Sequence, residues 1–193
     1  MYFCCMKKLI VFASGSGTNM ERIAEWCAAD GRVRIELVVC NKAGAGVIDR
    51  ARKAGIPVEM IDKKSFYQSD IFLKKLLKLN PDLIVLAGFL WLIPPALIEA
   101  FASRIINIHP ALLPSYGGKG MYGMRVHEAV VAAGEKISGI TIHLVNQNYD
   151  EGDILFQATV VLEPDETPGS LVQKIHSLEY RHYPEVIEHL LFG

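Results

Sequence analysis

Apolar residues fall in short continuous runs separated by longer stretches of helical period. Residues 8–13, 34–40, 57–61, 83–87 and 104–109 read as strands. Between them, helices are expected near 18–30, 45–55, 66–80 and 94–102. Strands and helices alternating across short turns predict a parallel sheet with right-handed crossovers and helices on both faces. After residue 109 the pattern changes. A helix near 122–134 precedes strands near 137–146 and 153–162, which are close enough to pair antiparallel, and a last helix spans about 168–190 with a bend expected at Pro184. The predicted fold is a three-layer α/β/α arrangement with a mostly parallel, Rossmann-like sheet extended by antiparallel C-terminal strands.

The fifth run ends in Asn107-Ile108-His109-Pro110. Alternate strand residues share a face, so Ile106 and Ile108 point into the core. Asn107 and His109 point the other way, at the carboxyl edge where α/β sheets carry their sites. Pro110 has no N–H to extend the ladder and ends the strand. A side-chain amide beside a ring that titrates near neutrality suits a reaction in which a carbonyl oxygen becomes an oxyanion and an amine loses a proton. A strand-end histidine bonded only to nearby backbone would read the same way. Asp150 tips the balance, because it stands in a polar turn over residues 146–153, which puts a carboxylate on a loop.

The first strand, Leu9-Ile10-Val11-Phe12-Ala13, reads as buried and opens into Ser14-Gly15-Ser16-Gly17-Thr18-Asn19. Small residues there let backbone N–H groups approach a phosphate at the positive end of the following helix. Gly-x-Gly alone also describes a tight βα turn. A dinucleotide is disfavoured, since Met20 holds the place of the third Rossmann glycine and Val38-Val39-Cys40-Asn41 lacks the ribose-binding acid. The Gly-Lys-Ser/Thr of a nucleoside triphosphate loop is missing too, so a single phosphate is the better match.

A chain of 193 residues, 51% hydrophobic, can bury one full core, and a single domain over residues 6–193 is expected. Residues 1–5 are expected to form a mobile extension, because Met6-Lys7-Lys8 reads as a second start. A formal charge of −1 with scattered basic residues argues against nucleic-acid and membrane partners. The four cysteines have neither framework nor metal-ligand spacing, and the chain reads as cytoplasmic and metal-free. His127, His143, His182 and His189 are scattered, unlike a zinc set, and are expected to be packing residues. Residues 117–123 hold four glycines in seven positions, a run that is unfavourable to order. It is expected to be mobile, either as a passive loop or as a lid in which Lys119 adds a charge contact.

Asn107-x-His109, taken with the downstream Gly139…Asp150-x-Gly152 segment, resembles the folate-dependent formyltransferases over almost the whole chain from Lys7 onward. Within that family the likeness is greatest to members that formylate the amine of glycinamide ribonucleotide in purine synthesis. The resemblance implies the formyltransferase fold and 10-formyltetrahydrofolate as co-substrate. It also implies glycinamide ribonucleotide as the other small-molecule partner, no metal, and a monomer or homodimer. Its catalytic set would be Asn107, His109 and Asp150. Asn107 and a protonated His109 would donate to the oxyanion of a tetrahedral intermediate, while Asp150 keeps the ring cationic and relays the amine proton. The resemblance puts Gly17, Thr18 and Asn19 at the ribonucleotide phosphate, with His176 and Glu179 at further contacts. It puts Leu90, Trp91, Ile93 and Ile98 around the pterin and benzoyl groups, and the backbone of Asn146, Gln147, Asn148 and Tyr149 at the pterin edge. Trp91 departs from the basic residue sometimes found at its position.

Other classes give different expectations. Formyltetrahydrofolate hydrolase would use the same three side chains with water as acceptor, but usually carries an N-terminal regulatory domain. Methionyl-tRNA formyltransferase normally adds a C-terminal tRNA-binding domain and a basic surface, which a near-neutral single domain does not suggest. A non-enzymatic nucleotide-binding module gives no reason for Asn107, His109 and Asp150 to converge.

Overall fold

The structure is a computed structural model and describes residues 6–193. The extension expected at residues 1–5 lies outside the described residues. β1 (Lys7–Ala13) runs through the middle of the sheet, with Leu9, Val11 and Ala13 packed on one face and Ile10 and Phe12 on the other. Burial on both faces is why this run is apolar at every position. β2 (Val33–Cys40) and β3 (Val58–Met60) lie to one side of it, and β4 (Leu83–Leu86) and β5 (Ile105–His109) to the other. β6 (Ile137–Leu144) and β7 (Ile154–Val161) complete the order β3-β2-β1-β4-β5-β6-β7. The first five strands are parallel, whereas β6 and β7 pair antiparallel. This is the sheet read from the sequence.

Helices α1 (Thr18–Asp30), α2 (Gly46–Lys53), α6 (Met124–Ala132) and α7 (Pro168–Phe192) cover one face, burying Met20, Val47, Val126 and Leu171. Helices α3 (Lys63–Tyr67), α4 (Ile71–Leu79) and α5 (Pro95–Ala100) cover the other through Phe66, Phe72, Leu76 and Leu97. The single helix expected at 66–80 is therefore two helices. Asp62 caps α3 by accepting the Ser65 N–H at 2.7 Å, and Ser69 Oγ accepts the Ile71 N–H at 3.2 Å to start α4. Phe66 and Phe72 both face the core, so the apolar period runs through the break and conceals it. α7 continues through Pro184, and the Tyr183 hydroxyl donates to the Leu86 carbonyl at 2.9 Å, fastening this helix to the end of β4.

Candidate active site

The chain proceeds outward from β1 in one direction and from β4 in the other. The crevice at the carboxyl ends of these two strands is where open α/β sheets take ligands. A cavity of about 690 Å³ lies at this crevice. Its walls come from residues 15–19 after β1, 87–90 after β4, 107–110 at the end of β5, 118–124 of the glycine-rich segment, His127, Tyr149, Asp150, and Val172, His176 and Glu179 of α7.

On the β1 side, Gly17 precedes α1 with φ of 80°, and a Cβ there would stand 2.5 Å from the Val47 Cα. Only glycine tolerates both constraints. No side chain caps α1, so its first N–H groups are open to an anion. Ser14 ties this loop to the end of β4, its N–H donating to the Gly88 carbonyl and its Oγ accepting the Leu90 N–H, each at 3.0 Å. Asn19 Nδ2 donates to Glu179 Oε2 at 2.9 Å, while Asn19 Oδ1 is buried without a partner. Burial pushes the Glu179 carboxyl up to about 7 against the opposing effect of that hydrogen bond. His176 stacks on Tyr180, and burial lowers its pKa. The five residues assigned to the ribonucleotide thus line one cavity despite their separation in sequence.

Asn107, His109 and Asp150 do converge. Asp150, at φ 57°, lies with Oδ2 3.5 Å from His109 Nδ1 and Oδ1 3.4 Å from Asn107 Nδ2. Asp150 Oδ2 also accepts the Gly118 N–H at 2.9 Å, and His109 Nε2 donates to the Tyr116 carbonyl at 2.8 Å. Tyr116 and Gly118, at the entry to the glycine-rich segment, are therefore bonded to two of the three site residues, and the segment forms part of the wall. Burial lowers the His109 pKa, although Asp150 pulls it upward. Burial thus opposes the imidazolium expected here, and Asp150 favours it. Burial pushes Asp150 up, but the His143 and His109 rings and the Gly118 N–H outweigh it, and the carboxyl titrates below its usual range.

Two histidines expected to be packing residues belong to this site. His143 is the cross-strand partner of Asn107 in the β5–β6 pairing, and its Nε2 stands 3.1 Å from Asn107 Nδ2. His127 lines the cavity with Nδ1 buried and unpartnered, and burial, aided by His176 and His109, lowers its pKa to about 4. Strand register carries the signal for His143, and one sequence does not display register. Both Asn107 Nδ2 hydrogens have protein acceptors, in His143 and Asp150. The amide carbonyl has no protein partner.

Of the residues assigned to folate, Leu90 and Tyr149 line the cavity. Trp91 packs against the Phe66, Tyr67 and Phe89 rings, Ile93 is only 2% exposed in the core, and Ile98 packs on the same cluster. Asn146, Gln147 and Asn148 lie in the turn after β6, outside the lining, with the Asn148 N–H donating to Asn146 Oδ1 at 2.9 Å. The apolar lining also includes Phe89, Met121, Tyr122 and Met124, which the sequence did not assign to folate.

Fold and site together define a Rossmann-like α/β protein whose cavity joins an uncapped helix start to an Asn-His-Asp centre. The formyl transferase family matches residues 7–187, and the chain belongs to that family. It is 45% identical over 188 residues to the chloroplastic phosphoribosylglycinamide formyltransferase of Arabidopsis thaliana, covering 94% of this chain and 64% of that one. The chain thus spans less than two thirds of the plant relative. Identity to the phosphoribosylglycinamide formyltransferase of Bacillus subtilis is 37%, over 96% of this chain and 95% of that one. The crystal structure of glycinamide ribonucleotide transformylase 1 from Geobacillus kaustophilus superposes with a TM-score of 0.85 at 37% identity, covering 96% and 99% of the two chains.

Proposed function

We propose that this protein transfers the formyl group of 10-formyltetrahydrofolate to the amine of glycinamide ribonucleotide. The observation that carries this reading is the meeting of Asn107, His109 and Asp150 in a cavity also walled by the uncapped start of α1. The names borne by relatives that match nearly end to end, such as the Bacillus subtilis protein, support it. The lining suits both reactants. Backbone N–H groups at Gly17 and Thr18 receive the phosphate, Glu179 and His176 meet the ribose side, and Phe89, Leu90, Met121, Tyr122 and Tyr149 offer apolar surface to the folate rings.

The reaction joins the substrate amine to the formyl carbon and breaks the bond from that carbon to the folate nitrogen, which leaves carrying the amine's proton. Asp150, ionised at neutral pH, receives the proton directly or through a water. His109 answers the oxyanion. As negative charge grows beside it the protonated ring is favoured, and a proton taken up from water lets the ring donate to that oxygen and returns to water when the intermediate collapses. Removing a donor of this kind typically lowers the rate by about a hundredfold or more. Holding both reactants in line contributes several kcal/mol through orientation, roughly 7–11 in the best cases. No covalent enzyme intermediate is required.

An acceptor competition tests this directly. Purified protein is given 10-formyltetrahydrofolate with glycinamide ribonucleotide, water and initiator tRNA as alternative acceptors, and formylated products are measured. Formylated ribonucleotide should dominate. Transfer to water or tRNA, with none to the ribonucleotide, would eliminate the proposal.

A further inference from the structure

We infer that Arg50 is a positioning residue for the phosphate end of the cavity, holding the Ser16 carbonyl toward α2 so that the Gly17 N–H faces the bound anion. The inference deepens the proposed formyl transfer and rests on it for the identity of the phosphorylated substrate. The bonding of the loop to α2 stands apart from that reading.

The loop after β1 presents two successive carbonyls to α2, and each has a donor there. The Val47 N–H donates to the Gly15 carbonyl at 3.1 Å, and Arg50 Nε donates to the Ser16 carbonyl at 3.0 Å. Gly46 makes room for the second, since a Cβ there would stand 2.9 Å from the Ser16 oxygen. In a trans peptide the C=O and the following N–H point in opposite directions. A Ser16 carbonyl held toward α2 therefore turns the Gly17 N–H away from α2, and Gly17 lines the cavity while α2 lies outside the lining. Glycine adopts both signs of φ readily, so without the Arg50 bond the Ser16–Gly17 peptide can turn over. The same guanidinium also pairs with Glu21, which stands in the first turn of α1. A carboxylate there repels an anion bound at the same helix end. Arg22 and Lys53 attract Glu21 as well, but Arg50 is the group that bonds it. One partly exposed side chain thereby sets the direction of a donor and offsets the charge that would oppose its ligand.

Steady-state kinetics and calorimetry on the full chain test this. Arg50→Ala keeps a good helix former in α2 and should raise KM for glycinamide ribonucleotide by about tenfold, with kcat within about twofold of the parent. For the dephosphorylated riboside, kcat/KM should stay within about twofold, because the Gly17 N–H then has no anion to meet. Arg52 pairs with Asp49 on the same helix, away from the loop. Arg52→Ala removes the same charge and should leave both acceptors within about twofold of the parent. Equal losses for ribonucleotide and riboside, a loss confined to kcat, or an equal effect of Arg52→Ala would refute the positioning role. Ribose 5-phosphate, titrated without folate, should bind Arg50→Ala about tenfold more weakly than the parent. An absence of any transfer by the parent protein would instead defeat the functional reading, and this titration would still decide the role of Arg50. Equal binding to the two proteins, or none to the parent, would overturn it.

Discussion

Glu179 sits 6% exposed on α7, with Asn19 Nδ2 as its hydrogen-bond donor. Its carboxyl is raised by burial from 4.5 to about 7. Between these values the folded chain keeps a proton that the unfolded chain has lost. The contribution to stability is thus fully present below pH 4.5 and falls as pH rises toward 7, by on the order of 3 kcal/mol. Glu179→Gln keeps an acceptor for Asn19 and removes the titration. Urea melts of ligand-free protein should show the variant gaining on the parent at pH 8 far more than at pH 5. The same difference at both pH values would mean that Glu179 does not titrate as a buried acid. Individual side chains were unevenly legible in the sequence. Asn107 and His109 could be placed because alternation along one strand needs no partner. His143 and His127 could not, since their roles depend on what lies across a strand pair or a cavity. Ile93 was assigned to a pocket and lies in the core, because an apolar residue beside a site reads the same in either place.

Elements were legible where one physical requirement dominated. The central strands are apolar throughout because both faces are covered, and α1 begins where Gly17 adopts positive φ. The break between α3 and α4 was hidden because polar capping chemistry interrupted an unbroken apolar period. The turn joining β6 to β7 aims Asp150, and Gly152 is its tightest point. A Cβ at Gly152 would lie 1.7 Å from the Leu144 carbonyl oxygen, a backbone atom that cannot move aside alone. Gly31, at the end of α1, has φ of 74° but nothing within 4 Å of an added Cβ. Gly31→Ala should therefore lose only the left-handed penalty, about 1–2 kcal/mol. Gly152→Ala should lose more than about 3 kcal/mol and, in whatever fraction folds, displace Asp150 and its activity. Comparable losses in urea melts of the two variants would show that the turn is looser than its geometry implies.

The site exists only through topology. Residues from the first loop, the middle strands and the last helix meet because strand order reverses between β1 and β4, and α7 returns across the same edge. The sequence supplied the parallel alternation that makes such a crevice and the residue types suited to it. Register, the fastening of α7 by Tyr183 and the closure by residues 118–124 come from packing over distances that one sequence does not display. In the proposed reaction the start of α1 and the Asn-His-Asp centre act on one molecule. The most direct measurement is formyl transfer from 10-formyltetrahydrofolate to glycinamide ribonucleotide and to its dephosphorylated riboside under identical conditions. The account predicts transfer to the ribonucleotide, with kcat/KM for the riboside lower by at least about a hundredfold, because the N–H groups at the start of α1 lose their anion. Equal kcat/KM for the two acceptors, or no transfer to either, would contradict it.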